Sequence, residues 1–138
     1  MRGDRTRSSL AVFVLLCAVI VGLSLMAGGC DPQASGVKET VNAYYDAIGR
    51  GDKDAEVALW MPDRQDEAQA QANAWASRDR QGLKLDEVHV DSGPAGDQRI
   101  VHVTLSIDDK ARPGRRRYET KTLLMQQQGD RWLIRDER

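Results

Sequence analysis

An α+β fold, with N-terminal helices packed on one face of an antiparallel sheet of about four strands, is what this sequence predicts. Three observations carry the prediction. From Val37 to Gln81 the apolar residues recur at helical spacing; from Leu83 onward they alternate with polar ones; and the two patterns are segregated along the chain.

The helices come first. Val37, Val41, Tyr44, Tyr45 and Ile48 fall at i, i+4, i+7, i+8 and i+11, one face of a helix that Gly49 and Gly51 stop. Before it, Asp31–Gly36 is polar, rich in turn formers and without period, and reads as a short tether. Asp52 is placed to cap a brief second helix, Lys53–Trp60, with Val57 and Trp60 on one side, and Pro62 ends it or opens its successor. Asp63–Gln81 is alanine-rich and free of proline and glycine. It predicts a third helix of strong propensity but weak amphipathicity, with Ala68, Ala72, Trp75 and Ala76 as its stripe and Gly82 as its C-terminal cap.

Period two then takes over. Leu83 and Leu85 alternate, as do Val88 and Val90, but the phase slips at Asp86-Glu87, which predicts a bulge. Ser92–Gln98 is a loop, and Val101, Val103, Leu105 and Ile107 mark the second strand. Asp109–Arg116 leads to a third, Arg117–Gln127, and Gly129-Asp130 turns into a fourth, Arg131–Asp136. A symmetric loop after the first strand sets Val88 against Val103, Val90 against Val101, and His89 against His102, about 5 Å apart at Cβ.

The chain begins differently. Arg2, Arg5 and Arg7 precede an uncharged run, Leu10–Met26, and small residues follow it. A positive start, an apolar core and a small-residue end make a secretory signal. The run is about 17 residues, the lower end of the range of roughly 17–25 that spans a bilayer, so an uncleaved transmembrane anchor is the competing reading. Either way the arginines stay cytoplasmic and the rest lies outside. The stretch Leu25-Met26-Ala27-Gly28-Gly29-Cys30 resembles the lipobox of bacterial lipoproteins, although Ala27 stands where leucine is commonest. That resemblance implies residues 1–29 as signal peptide, cleavage after Gly29, a lipid on Cys30 and a location on the extracytoplasmic side of the cell membrane. Residues 30–36 are then the lipidated cysteine with its tether, and residues 37–138 the exported domain. The other cysteine, Cys17, lies inside the apolar run, so that domain has no disulfide and holds together by packing. Its slightly acidic balance (−1 for the whole chain) and its export argue against a nucleic-acid partner.

Val41–Asp52 (VNAYYDAIGRGD), with Ala58–Trp60 (ALW) and Gly129–Asp136 (GDRWLIRD), resembles the nuclear transport factor 2-like (cystatin-like) superfamily. The likeness runs from Val37 to Asp136, and small exported lipoproteins labelled lumazine-binding-like or of unknown function look most similar. It implies a curved sheet wrapped against helices into a cone with a pocket. That scaffold serves enzymes, binding modules and dimerisation modules alike. An enzyme of this kind, such as a ketosteroid isomerase, needs a carboxylate base and a tyrosine or protonated acid pointing inward. Asp46 sits about 200° around the helix from Tyr44 and so faces solvent, and the strand acids lie at strand ends or on the outer face. No buried carboxylate is expected, and no catalytic set is assigned.

Tyr44, Trp60, Tyr118 and Trp132 are the candidate pocket lining, or core aromatics. His89 and His102, with Asp91 or Glu87, offer a weak zinc or copper pair, though two ligands do not make a structural site. The cluster Arg112–Arg117 offers contact with phosphate headgroups or an anionic wall polymer, against the plainer reading of a solvated hairpin loop. Ile100, His102 and Thr104 offer part of a homodimer surface. No cofactor is expected. The functional expectation is a non-enzymatic module for a small apolar ligand or a protein partner, with a small isomerase, dehydratase or hydrolase as the alternative.

Overall fold

The computed structural model describes residues 32–138; the expected signal peptide and Cys30 lie outside the described residues. Helix α1 (Pro32–Arg50) is followed by α2 (Lys53–Ala58), a 3-10 turn (Pro62–Arg64) and α3 (Gln65–Ser77). Four strands complete the domain: β1 (Lys84–Ser92), β2 (Gln98–Asp108), β3 (Arg116–Gln128) and β4 (Arg131–Glu137), paired antiparallel in chain order.

Helix α1 starts earlier than its apolar period. Proline has no N–H to lose in a first helical turn, and Gln33 and Ala34 are good formers, so the expected tether is helical from Pro32. Gly36, unfavourable in a helix by itself, is where α1 meets the sheet: a Cβ there would stand 3.1 Å from Trp132 Cδ1. Val37, Val41, Tyr44, Tyr45 and Ile48 are buried, as their spacing predicts. The helix ends in a Schellman motif, with Asp52 N–H bonded to Ala47 O and Gly51 N–H to Ile48 O, and Gly51 takes the left-handed φ of +72° that this motif requires. Gly49 lies within the helix. Asp52 Oδ1 then accepts from Ala55 N–H at 3.1 Å and caps α2, as expected.

Helix α3 stops at Ser77, several residues before Gly82. Arg78 turns to extended backbone, and Gly82 instead supplies a positive φ of +66° in the turn into β1. The stripe Ala68, Ala72 and Trp75 is buried.

The sheet follows the expected register. Val88 pairs with Val103, His89 with His102 and Val90 with Val101, and the bulge falls at Asp86, between Leu85 and Glu87. A second bulge, unexpected from the sequence, lies in β4: Ile134 pairs with Met125 and Asp136 with Leu124, which leaves Arg135 extra. The free edge of β4 is covered by the chain after α2, where Met61 N–H bonds Ile134 O and Ile134 N–H bonds Leu59 O, both at 2.8 Å. Helix α1 crosses the inner face of the sheet and touches both β1 and β4. The core between them joins the α1 face, Trp60 and Trp75 to Val101, Val103, Leu105, Leu123, Met125 and Ile134.

Candidate functional site

The inner face carries two carboxyl groups that side-chain type alone assigns to the surface. Glu137 is one. Along β3 the odd-numbered residues Leu123 and Met125 point inward, and Ile134 opposite Met125 does the same. An unbroken β4 would then turn Asp136 inward and Glu137 outward. The extra residue at Arg135 reverses that phase, so Glu137, opposite Leu123, enters the core with 5 % of its surface exposed.

Tyr44 meets it there. Its hydroxyl donates to Glu137 Oε2 at 2.5 Å, joining the middle of α1 to the end of β4. Tyr44 packs edge-on against Tyr45 at 5.1 Å and against Trp60 at 6.4 Å between ring centroids, and Tyr45 packs likewise on Trp75 at 6.3 Å. Burial pushes the Glu137 carboxyl above its ordinary pKa, and the bond from Tyr44 opposes that shift. The Tyr44 phenol is held far above its usual range, first by burial and then by the charge of Glu137, and Tyr45 follows for the same reasons. The Tyr45 hydroxyl and Trp60 Nε1 are buried without a hydrogen-bond partner.

Glu56 is the second acid. It is buried on α2, while Val57 is only half-buried; that helix ends at Ala58, so Trp60, expected on it, lies beyond its end and bridges to Ile134. Solvent reaches 1 % of it. Neither carboxylate oxygen has a hydrogen-bond partner. Burial raises its pKa to about 7; Arg80 and Lys53 pull the other way, and the charges of Glu137 and Asp52 add to the rise. A phenol–carboxyl pair beside an acid that titrates near neutrality is proton-transfer equipment in kind.

The sequence brings some of its candidates here and not others. Tyr44 and Trp60 belong to this cluster. Trp132 is buried against Gly36 with Arg99 over its ring at 5.4 Å, and lines a cleft of about 230 Å³ with Thr40, Asp130 and Arg131. Tyr118 does not line the interior. It stands on the outer face opposite Ser106 and is 66 % exposed, because its phase in β3 is that of Thr120 and Thr122. The expectation of no buried carboxylate is also corrected, by Glu56 and Glu137. Neither had a signal in the sequence: Trp60 lies beyond the end of α2, so its spacing from Glu56 sets no shared face, and only polar residues follow the bulge that turns Glu137 inward. Asp46 is exposed, as expected.

On the outer face His89 and His102 are neighbours, and Asp91 joins them, its Oδ1 at 3.0 Å from His89 Nε2 and its Oδ2 at 3.5 Å from His102 Nε2. Among the described residues no three acid, histidine or cysteine side chains are arranged to hold a metal ion. At the far hairpin a cleft of about 490 Å³ is lined by Gln81, Asp109, Lys110, Arg115 and Arg116, among others. Of its bases, Arg116 is bonded to Asp108 and to Ser106, and Lys110 is paired with Asp79. Neither cleft is lined by Tyr44, Glu56, Trp60 or Glu137.

Solved structures decide the scaffold. The chain superimposes on a putative dehydratase of the nuclear transport factor 2-like family from Streptomyces avermitilis with a TM-score of 0.61, at 20% identity over 79% of this chain and 95% of that one. A nuclear transport factor 2-like protein of unknown function from Pseudomonas putida gives a TM-score of 0.61 at 15% identity, covering 79% of this chain and 87% of its own. A protein of unknown function with a cystatin-like fold from Nostoc punctiforme also gives 0.61, at 9% identity, covering 75% and 86%. The fold is nuclear transport factor 2-like. At these identities the likeness extends to the nuclear transport factor 2-like scaffold and no further. No protein-family model and no curated protein matches the chain.

Proposed function

We propose that this is an exported lipoprotein, held to the membrane by lipid on Cys30, whose nuclear transport factor 2-like domain is a non-enzymatic binding or interaction module. One observation carries the module reading: the polar groups of the interior are closed off from solvent, with Glu56 and Glu137 at 1 % and 5 % exposure. Turnover needs a route by which substrate and product pass the reacting groups, whereas a module that meets a partner on its outer face does not. The lipobox-like residues before Cys30 support the anchor, and two or three acyl chains are what stable attachment needs.

A second reading has its own support. Tyr44, Glu137 and the near-neutral Glu56 form an acid–base set of the kind that an isomerase or dehydratase on this scaffold requires.

Intact-mass measurement of the protein extracted from membranes, beside Cys30→Ser, tests the anchor. The wild type is expected to lack residues 1–29 and to carry added acyl mass, and the variant to lack the acyl mass. An uncut, unacylated wild-type chain would overturn it. Native mass spectrometry of the same extract tests the module: a co-purifying small molecule or partner polypeptide supports it, and conversion of that molecule by the purified protein would replace the binding reading with the catalytic one.

A further inference from the structure

The two edges of the sheet are treated differently. The edge of β4 bonds to the chain at Leu59 and Met61, whereas among the described residues no backbone group bonds to the outer side of β1. Which groups lie open there follows from the ladder. Gly93 N–H bonds Gln98 O at 3.1 Å, so Ser92–Arg99 is a non-hydrogen-bonded pair, and with it Val90–Val101 and Val88–Val103. The N–H and C=O groups of Val88, Val90 and Ser92 therefore point away from β2.

The side chains along this edge are open as well. Leu85, Val88 and Val90 lie on the inner face and are only partly buried, while their partners Leu105, Val103 and Val101 are at most 2 % exposed. A further strand would bond the open backbone groups and lay its inward side chains beside these three residues. Its outward side chains would meet those of β1, where the exposed Asp86, Glu87 and Asp91 outnumber Lys84. A second copy of β1 brings the same acids to the seam and is repelled, whereas lysine or arginine at alternate positions is attracted.

We propose that β1 receives an extended segment of a partner polypeptide, antiparallel like every other pair in this sheet, in which apolar residues alternate with lysine or arginine. The apolar residues lie opposite Val88 and Val90 and exchange backbone bonds with them; the basic ones lie opposite Glu87 and Asp91. This rests on the interaction-module reading above and names the surface and the chemistry of its partner.

Full-length ¹⁵N-labelled protein in detergent, titrated with acetyl-Lys-Val-Lys-Val-Lys-Val-Lys-amide, tests it through the Val88 and Val90 amide signals. Both are expected to shift and saturate, and their exchange with heavy water to slow at least tenfold. The peptide with glutamate in place of lysine is expected to bind at least tenfold more weakly. N-methylation of the peptide's valines removes the donors that face β1 and is expected to abolish binding. N-methylation of its lysines, whose donors face away, is expected to change binding less than threefold. These changes lie in the peptide, so no variant has to fold. No saturation, an equal response to the glutamate peptide, or equal losses from the two N-methylations would each overturn the proposal. So would a dimer in which Val88 and Val90 are protected without peptide, which gives the edge to a second copy. A partner polypeptide from the membrane extract that leaves both amides unshifted would keep the module and remove this surface, so the two readings fail separately.

Discussion

Glu56 and Glu137 reach the interior by different routes, and the difference shows in how each can be probed. Glu56 has no bond to lose, so its signature is titration. Its pKa is raised from 4.5 to about 7 on folding, so between those values the folded state keeps a proton that the unfolded state releases. Its contribution to stability is therefore most favourable below about pH 4.5, falls as pH rises toward 7, and is fully adverse above. Arg80, Lys53, Asp52 and Glu137 are the charges that act on it. Glu56→Gln is expected to remove that slope, up to about 3 kcal/mol between pH 4.5 and 7.5, in urea unfolding read at a series of pH values. An equal slope in both proteins would refute the assignment. Glu137 is bonded, so its signature is the loss of a donor. Tyr44→Phe leaves Oε2 unpaired and is expected to cost about 1–3 kcal/mol at pH 7. The sequence made Tyr44 legible through its helical spacing, but both acids were hidden because a charged side chain reads as solvated wherever no neighbour is known.

At the scale of the element, the four strands and three helices were legible because period 2 and period 3.6 survive in the apolar residues alone. Boundaries were less so. Asp31–Gly36 lacks apolar residues and reads as tether, yet proline in a first turn and a glycine fitted against Trp132 let α1 run through it. The bulge at Asp86 was legible because valines stand on both sides of the slip and reveal the change of phase. The bulge at Arg135 was not, since only polar residues follow it. That second bulge is what places Glu137 against Tyr44. Deletion of Arg135 would restore an unbroken strand, turn Asp136 inward and swing Glu137 out. The expected loss is at least about 2 kcal/mol, with the Tyr44 phenol titrating closer to its ordinary range in ultraviolet absorbance. A deletion variant of wild-type stability would show that the phase of β4 is set elsewhere.

For the whole molecule, the fold class could be read because segregated patterns leave few ways to layer a chain of this length. The site could not, since its acids come from α2 and the end of β4, which meet only once the sheet has curved over the helices. Pro32–Arg138 contains no cysteine, so packing alone sets its stability. Its melting temperature is expected to be the same with and without dithiothreitol, and a shift of several degrees would contradict this. The early start of α1 has a mechanical outcome. Cys30 is two residues from a rigid rod, a covalent reach of about 7 Å. The first turns of that rod lie by the beginnings of β2 and β4, where Gln33 meets Arg99 at 2.5 Å and Gly36 meets Trp132. The arginine hairpin lies at the other end of β2, whose 11 residues measure about 35 Å. The start of α1 and the basic tip thus lie at opposite ends of the sheet, several screening lengths of about 8 Å apart, so a charge at one end is scarcely felt at the other.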